Sequence, residues 1–227
     1  MPVGVPEDFD VLNQTKRTPC VLLLDTSSSM QGPPISELND GLQAFKNELN
    51  VDDLAKTSVE VCLITFGGKA ELVHDFVDID SFHPPYLDAN GGTPMGAAID
   101  LGLDKIEERE RLYKSQQIAF YRPWFFLMTD GAPTDVKELE LAIPRLHGRS
   151  DKIIFNALAV ENADEEWLKK IMPPDPPHML QKLSGTNFKD FFIWLSRSLV
   201  QIASSGSEPG DQIKLEAPPS DVITIQL

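Results

Sequence analysis

Apolar residues follow two patterns along the chain, and each pattern predicts a different element. Short continuous apolar runs, such as Val21–Leu24 and Trp124–Met128, predict strands that are buried on both faces. Apolar stripes at spacings of three and four, such as Ile35, Leu38 and Leu42, predict amphipathic helices. Because the two patterns alternate, the sequence indicates an α/β fold with helices on both faces of a sheet.

The elements can be placed from these patterns. Strands are predicted at 19–25, 58–67, 69–77, 123–130 and 151–160, with a short edge strand within 178–183. Helices are predicted from Pro33, from Pro94, and over 135–148, 163–172 and 187–205. We expect Pro144 to kink or end the third helix, because proline has no backbone N–H.

The second and third strands are separated only by Gly67 and Gly68. So short a connection allows a hairpin and excludes a parallel crossover, so the third strand should be antiparallel. The predicted fold is a three-layer, open, mostly parallel sheet with one antiparallel edge strand. We expect an N-terminal segment at 1–15, one domain at 16–205 and a tail at 206–227. The tail has three open interpretations: a flexible tail, an extra strand or a docking peptide.

The charge balance excludes some classes of partner. Thirty-five acidic and 20 basic residues give a net charge of −15, which disfavours nucleic acid and anionic membrane surfaces. A cation is a better ligand for such a chain, although acidic character also simply favours solubility. We find neither a signal peptide nor an apolar run of transmembrane length, so we expect a cytoplasmic protein.

The cysteines and histidines do not suggest a zinc site. Cys20 and Cys62 lie in strand-like apolar runs and are expected to be buried free thiols, which suits a reducing compartment. The four histidines are scattered and form no zinc-ligand spacing with the cysteines.

Oxygen-bearing side chains follow the most apolar strands. Asp25, Ser27 and Ser29 come at the end of the first strand, and Asp130 comes at the end of the fourth. Thr93 precedes the long helix. In an open α/β sheet, side chains at the carboxyl ends of neighbouring strands share one crevice. Two carboxylates and three hydroxyls suit a hard cation such as Mg²⁺, with Mn²⁺ or Ca²⁺ as alternatives, and leave room for water or another molecule's carboxylate.

This pattern resembles the metal-ion-dependent adhesion site (MIDAS) of von Willebrand factor type A (VWA) domains. That family's pattern is Asp-x-Ser-x-Ser, then a distant Thr and a distant Asp. It stands here as DTSSS at 25–29, GGTPMG at 91–96 and MTDGAPTD at 128–135. The resemblance covers residues 16–205 and implies a non-enzymatic, metal-dependent protein-binding module. It also implies that a partner supplies an Asp or Glu to the metal and that Asp130 reaches the metal through water.

A narrower resemblance, to the bacterial TerY/YegL-like tellurium-resistance group, is carried by three segments. They are VLLLDTSSSM at 21–30, GGTPMGAAI at 91–99 and FKDFFIWLSRSL at 188–199. This resemblance implies a cytoplasmic adaptor that serves a protein kinase and a PP2C-type phosphatase in a stress response.

Other interpretations remain open at this point. Asp25, Ser27 and Ser29 could form a capped strand-to-helix turn, and Thr93 could be the N-cap before Pro94. Asp135 is expected to be a helix N-terminal residue, and the acidic run at 161–166 a solvated helix start. At the level of function, the alternatives are a metal-independent scaffold or chaperone-like subunit and a Mg²⁺-dependent phosphohydrolase. The phosphohydrolase is disfavoured because Ser27 stands where an aspartyl enzyme needs a second acid.

Overall fold

The computed structural model describes most of the 227-residue chain. The described residues are 9–10, 12–160, 163–174, 177–183, 185, 187–205 and 223–226. The predicted segment at 1–15, the acidic run at 161–166 and the tail at 206–227 therefore lie partly outside the described residues. The division of the chain into these segments remains a prediction.

One sheet forms the centre of the molecule. Its strands are β1 (Thr18–Asp25), β2 (Val59–Gly67), β3 (Lys69–Asp78), β4 (Trp124–Thr129), β5 (Ile154–Ala159), β6 (Met179–Leu183) and β7 (Ile223–Gln226). In space they are ordered β3-β2-β1-β4-β5-β6-β7. The pairs from β2 to β6 are parallel, whereas β3 and β7 are antiparallel to their neighbours. The predicted fold class and the antiparallel β2–β3 hairpin are thus confirmed.

Helices cover both faces of the sheet. The helices are α1 (Pro33–Asn50), α2 (Asp53–Ser58), α3 (Met95–Ser115), α4 (Val136–His147), α5 (Glu165–Ile171) and α6 (Phe188–Ser204). Apolar residues of α1, α2 and α6 form one core layer with the sheet. Those of α3, α4 and α5 form the other layer. Strand β1 is fully buried because it lies in the middle of both layers, which accounts for its uninterrupted apolar run.

Two local predictions need correction, and one helix was not predicted. Strand β6 is not an edge strand, because β7 pairs with its outer side. Residues 223–226 therefore match the extra-strand interpretation of the tail. Of the two outcomes expected at Pro144, the structure excludes an end of α4 there, because the helix continues to His147. The kink stays a prediction. Pro144 lies one turn from the helix end, so the lost N–H leaves only the carbonyl of Glu140 without its helical donor, at an exposed position. Helix α2 was not predicted, because it has only six residues.

None of the helices in the described part of the chain is both long and apolar enough to cross a membrane.

Candidate metal site

Asp25 lies at the centre of the candidate site. Strands β1 and β4 are adjacent in the middle of the sheet, so their carboxyl ends meet. The Asp25 carboxylate is completely buried there. Its Oδ1 accepts a hydrogen bond from the backbone N–H of Ser27 at 2.8 Å, and its Oδ2 accepts one from Thr129 Oγ1 at 2.5 Å. These two bonds fix the orientation of the carboxylate.

A chain of hydroxyl contacts joins the β1 end to the β4 end. Ser27 Oγ lies 3.0 Å from Ser29 Oγ, and Ser29 Oγ donates to Asp130 Oδ1 at 2.6 Å. Ser27 is buried, whereas Ser29 is exposed and Asp130 is partly exposed. The site is therefore closed beneath by Asp25 and open toward solvent at Ser29 and Asp130.

Thr93 belongs to the same cluster. Its side chain is buried, with 5% of its surface exposed. A Cβ atom at Gly131 would lie 3.6 Å from both Thr93 Oγ1 and Ser29 Oγ. The two hydroxyls therefore flank the Gly131 backbone, and the structure brings together all five residues that the sequence predicted.

The hydroxyls of the site are not used as helix caps. Ser27 occupies the N-cap position of a short 3₁₀ helix at Ser28–Met30 but makes no side-chain cap. Helix α3 begins at Met95 with Pro94 as its N-cap residue, so the interpretation of Thr93 as the N-cap is wrong. The two serine hydroxyls bond to each other and to Asp130 instead of to helix N–H groups.

Asp135 stands at a helix N-terminus as predicted, at the N-cap position of α4, and its side chain has a further role. It precedes α4 but makes no side-chain cap on that helix. Its carboxylate instead accepts hydrogen bonds from the backbone N–H groups of Gly96 at 3.1 Å and Ala97 at 2.8 Å. Asp135 thus caps α3 from a neighbouring loop, where the helix N-terminus favours a negative charge. It does not contribute to the candidate metal site.

The loop that carries Thr93 is held on two sides. On one side, Thr93 N donates to Thr134 Oγ1 at 3.0 Å and Thr134 N donates to Thr93 O at 2.9 Å. On the other, Gly68 N donates to Gly92 O at 2.8 Å in the β2–β3 hairpin. Gly91 has a φ of +73°, and a Cβ there would lie 2.6 Å from the Gly68 Cα. Only glycine allows this close approach of the two backbones.

Sequence reasoning missed two positioning residues, Thr129 and Thr134. Both lie within the MTDGAPTD segment that carries Asp130. Their hydroxyls bond to partners far away in the sequence, namely Asp25 and Thr93. The only signal in the sequence was the concentration of hydroxyl residues beside the strand end.

Among the described residues, no protein cation pairs with the two carboxylates of the site. Burial raises the pKa of the Asp25 carboxyl, hydrogen bonds from Ser27 and Thr129 oppose that shift, and the charge of Asp130 raises the pKa slightly further. Among the ion pairs of the described residues, none involves Asp25 or Asp130. A cation bound between the two carboxylates would relieve this repulsion.

The donor set fits a hard divalent cation. It consists of two carboxylates and three hydroxyls, all of them oxygen ligands. Within the described ranges, no group of three or more His, Cys, Asp or Glu side chains is placed to hold a metal. A metal bound here would therefore depend on Ser27, Ser29 and Thr93 as well as on carboxylates. Such a set leaves positions for water or for a ligand from another molecule.

Comparison with known proteins gives a family match. A family model described as von Willebrand factor type A domain matches residues 20–192. A search of curated proteins finds no match to this chain.

Three solved structures are similar in fold. A von Willebrand factor type A protein from Catenulispora acidiphila is 16% identical, over 82% of this chain and 43% of that chain, with a TM-score of 0.63. The pilus adhesin SpaC from Lactobacillus rhamnosus GG, in its open conformation, is 14% identical over 82% and 30% of the respective chains, with a TM-score of 0.62. Manganese-loaded TRAP protein from Plasmodium vivax is 18% identical over 80% and 74%, with a TM-score of 0.53. This chain thus spans less than half of the C. acidiphila protein.

Proposed function

Since this chain belongs to the von Willebrand factor type A family, we propose that it is a divalent-metal-dependent protein-binding module. Domains of this family are often metal-dependent protein-interaction modules. The proposed metal ligands are Asp25, Ser27, Ser29, Thr93 and Asp130. Mg²⁺ is the proposed ion, with Mn²⁺ or Ca²⁺ as alternatives; the similar TRAP structure is described as manganese-loaded.

One observation carries the proposal. Two carboxylates and three hydroxyls from three separate segments converge at the carboxyl ends of β1 and β4. The hydroxyls make no helix caps and the carboxylates have no cationic partner among the described residues. A bound cation gives both the hydroxyl oxygens and the negative charge a common partner.

The proposed partner is a protein that offers an Asp or Glu side chain to the metal. A chain with a net charge of −15 repels an acidic partner at long range. A divalent cation at the rim reverses that preference locally, because it is the largest local charge in the site. Binding would thus be selective for a carboxylate and would depend on the metal.

The finer part of the proposal follows the TerY/YegL-like resemblance. The module would act in the bacterial cytoplasm as an adaptor for a protein kinase or a PP2C-type phosphatase in a stress response. The two buried free thiols, Cys20 and Cys62, are compatible with a reducing compartment.

We propose that the protein is not an enzyme. The carboxylate of Asp25 is buried and held by Ser27 and Thr129, and Ser27 stands where a phosphotransferase of the aspartyl type needs a second acid. None of the described hydrogen bonds of the four histidines reaches the site. No histidine base is therefore in contact with the hydroxyls of the cluster among the described hydrogen bonds.

Isothermal titration calorimetry with Mg²⁺ and Mn²⁺ tests the metal site. The variant Asp25→Asn keeps the shape of the side chain and removes its charge, so metal binding should be lost while the fold is kept. Asp151→Ala is the matched control. Asp151 is exposed in the turn before β5, at the amino ends of the strands and so at the opposite end of the sheet from the candidate site. Unchanged metal affinity in Asp25→Asn would overturn the proposal.

A capture experiment tests the partner. Wild type and Asp25→Asn are used as baits in lysate, each with Mg²⁺ and with EDTA, and captured proteins are identified by mass spectrometry. The proposal expects a protein that only wild type with Mg²⁺ captures. The same proteins in all four conditions would indicate a metal-independent scaffold.

A separate assay tests for a phosphohydrolase. Mg²⁺-dependent hydrolysis of an aryl phosphate that is abolished by Asp25→Asn would indicate that activity.

A further inference from the structure

Strand β6 has a short neighbour on its outer side. Residues 223–226 form β7 and pair antiparallel with β6 over four positions, from Leu183↔Ile223 to Leu180↔Gln226. In the sequence, β7 follows α6 only after residues 205–222. The outer side of β6 is therefore a strand-binding edge, and in this structure a distant segment of the same chain occupies it.

This edge contains an unsatisfied buried amide. Gln181, in the middle of β6, is completely buried. Neither its Nε2 nor its Oε1 has a hydrogen-bond partner among the described residues. The same is true of both side-chain polar atoms of Asn156 on the adjacent strand β5. Buried amides without partners are rare in folded proteins, because each loses its hydrogen bonds to water without replacement.

The position of Gln181 in the sheet identifies what could satisfy it. Gln181 pairs with Leu158 of β5, which belongs to the core layer beneath α1 and α6. On its other side the residue opposite Gln181 is Ile225. Directly opposite residues of an antiparallel pair are cross-strand neighbours. Isoleucine is a residue type without a side-chain hydrogen-bonding group, so the strand at 223–226 offers Gln181 none at this position.

We propose that the outer edge of β6 is a docking site for an extended segment of another protein. The segment would pair antiparallel with β6 and carry Thr, Ser, Asn or Gln opposite Gln181. Backbone hydrogen bonds to β6 would supply affinity, and the Gln181 amide would supply selectivity, as in other cases of strand addition to a sheet edge. Residues 223–226 occupy the edge until such a segment displaces them.

The geometry disfavours a second copy of this chain as the occupant. The strand of a second copy also has isoleucine at position 225, so it gains nothing at Gln181. The resident strand is tethered and competes at an effective concentration on the order of millimolar. A displacing segment must therefore bind better than 223–226 does, and a hydrogen bond to Gln181 is the improvement that this edge offers.

Peptide binding to the full-length chain tests this proposal. The peptides are eight residues long and fluorescently labelled, with the sequence of 220–227 and either Thr or Val in place of Ile225. Thr and Val have nearly the same shape, so the pair isolates the hydroxyl. The double substitution Thr224→Pro and Ile225→Pro opens the edge in the full-length chain. Proline has no backbone N–H, so one hydrogen bond between β7 and β6 is lost whichever of the two N–H groups faces β6.

The Thr peptide is expected to bind the opened chain about tenfold more tightly than the Val peptide, the effect of one satisfied buried amide. The preference should disappear in a Gln181→Leu background. Binding should be unchanged by EDTA and by Asp25→Asn, so failure here is distinguishable from failure of the metal site. Equal affinities for the two peptides, or no binding to an opened chain that is folded by circular dichroism, would overturn the proposal.

A second measurement does not depend on the proline variant. In the otherwise natural full-length chain, Ile225→Thr and Ile225→Val are compared by hydrogen exchange of the β6 amides. A hydroxyl that reaches Gln181 should slow exchange of the edge amides by about tenfold relative to Val. Equal exchange in the two variants would count against the proposal as strongly as equal peptide affinities.

Discussion

At the scale of single residues, the orientation of the Asp25 carboxylate depends on the neutral hydroxyl of Thr129. Thr129 Oγ1 donates to Asp25 Oδ2 at 2.5 Å, and the backbone N–H of Ser27 donates to Oδ1. With both bonds in place, the buried carboxylate has one orientation available. Residues that orient a ligand in this way tune metal affinity although they do not touch the metal.

The first prediction concerns Thr129. Thr129→Val keeps the side-chain shape and removes the donor, so Mg²⁺ affinity measured by calorimetry should fall by about tenfold. Thr129→Ser should restore most of the affinity. Thr18→Val is the matched control, because Thr18 is equally buried, bonds to Ser58 Oγ and lies at the other end of β1. If Thr18→Val weakens Mg²⁺ binding as much as Thr129→Val does, the orienting role is wrong.

The second prediction concerns the thiols. Cys20 and Cys62 are buried and unpaired with each other, and burial raises the pKa of both thiols. The thiolate is the reactive form, so a raised pKa and burial both protect the sulfur. A chromogenic disulfide reagent at pH 8 should therefore react with neither cysteine in the native protein and with both in guanidinium. Rapid reaction of one thiol in the native protein would contradict this.

At the scale of elements, the beginnings of α3 and α4 form one rigid junction. Asp135 caps α3, and Thr134 exchanges two hydrogen bonds with Thr93. The two helices approach closely at Gly96, where an added Cβ would lie 2.2 Å from the backbone nitrogen of Leu139. This junction fixes the Thr93 loop relative to the end of β4.

The third prediction tests that junction. Gly96→Ala must push α4 away, because the clash is with backbone, and should lower the free energy of unfolding by about 3 kcal/mol. It should also weaken Mg²⁺ binding, since Thr93 moves with the junction. Gly102→Ala is the comparison: its Cβ would meet the side chain of Phe125, and Gly102 lies six residues further along α3 than Gly96. Both quantities are measured by chemical denaturation and calorimetry, and equal losses of Mg²⁺ affinity in the two variants would reject the coupling.

The elements themselves could largely be predicted from the sequence. Continuous apolar runs predicted β1 and β4 because both faces of these strands are buried, and the Gly67-Gly68 pair predicted the antiparallel β3. The position of β7 could not be predicted, because four residues after a long polar segment give only a weak strand pattern. Periodicity also gives no information on the loop contacts between Thr93 and Thr134, which are 41 residues apart.

The convergence of the five candidate residues could be predicted because each lies beside a strong element signal, whereas their role as metal ligands stays a prediction. Asp25 and Asp130 follow the two most buried strands, and strand order then decides whether they meet. The structure makes β1 and β4 direct neighbours. The interpretation of Asp135 was incomplete, because which helix an aspartate caps depends on the packing of α3 against α4 and not on its position along the chain.

At the scale of the whole molecule, the amino ends and the carboxyl ends of the strands differ in how the charge of their carboxylates is compensated. Near the amino ends of β1 and β2, the Glu60 carboxylate lies 3.0 Å from Arg17 Nε and 2.6 Å from Arg109, and Tyr113 also donates to it. Two guanidinium groups thus compensate one carboxylate there. At the carboxyl ends, Asp25 and Asp130 have no such partner among the described residues. Among the described residues, the strand ends that lack a protein cation are those where the candidate oxygen ligands converge.

The fourth prediction follows from this asymmetry. A ligand that binds only the folded protein stabilises it, by about 2.7 kcal/mol at a concentration one hundred times its dissociation constant. For a chain of this length, saturating Mg²⁺ should therefore raise the thermal midpoint by roughly 5–10 °C. Part of any such rise would come from screening of the net charge of −15, which has no connection with the site.

Two controls separate the two effects. NaCl at matched ionic strength reproduces general screening, and Asp25→Asn removes the proposed site while changing the net charge by only one unit. Wild type should gain several degrees more with Mg²⁺ than with NaCl, and Asp25→Asn should gain the same with either salt. If the variant keeps the extra gain from Mg²⁺, divalent ions stabilise the chain through its dispersed surface carboxylates, and the cluster at the ends of β1 and β4 is not where the metal acts.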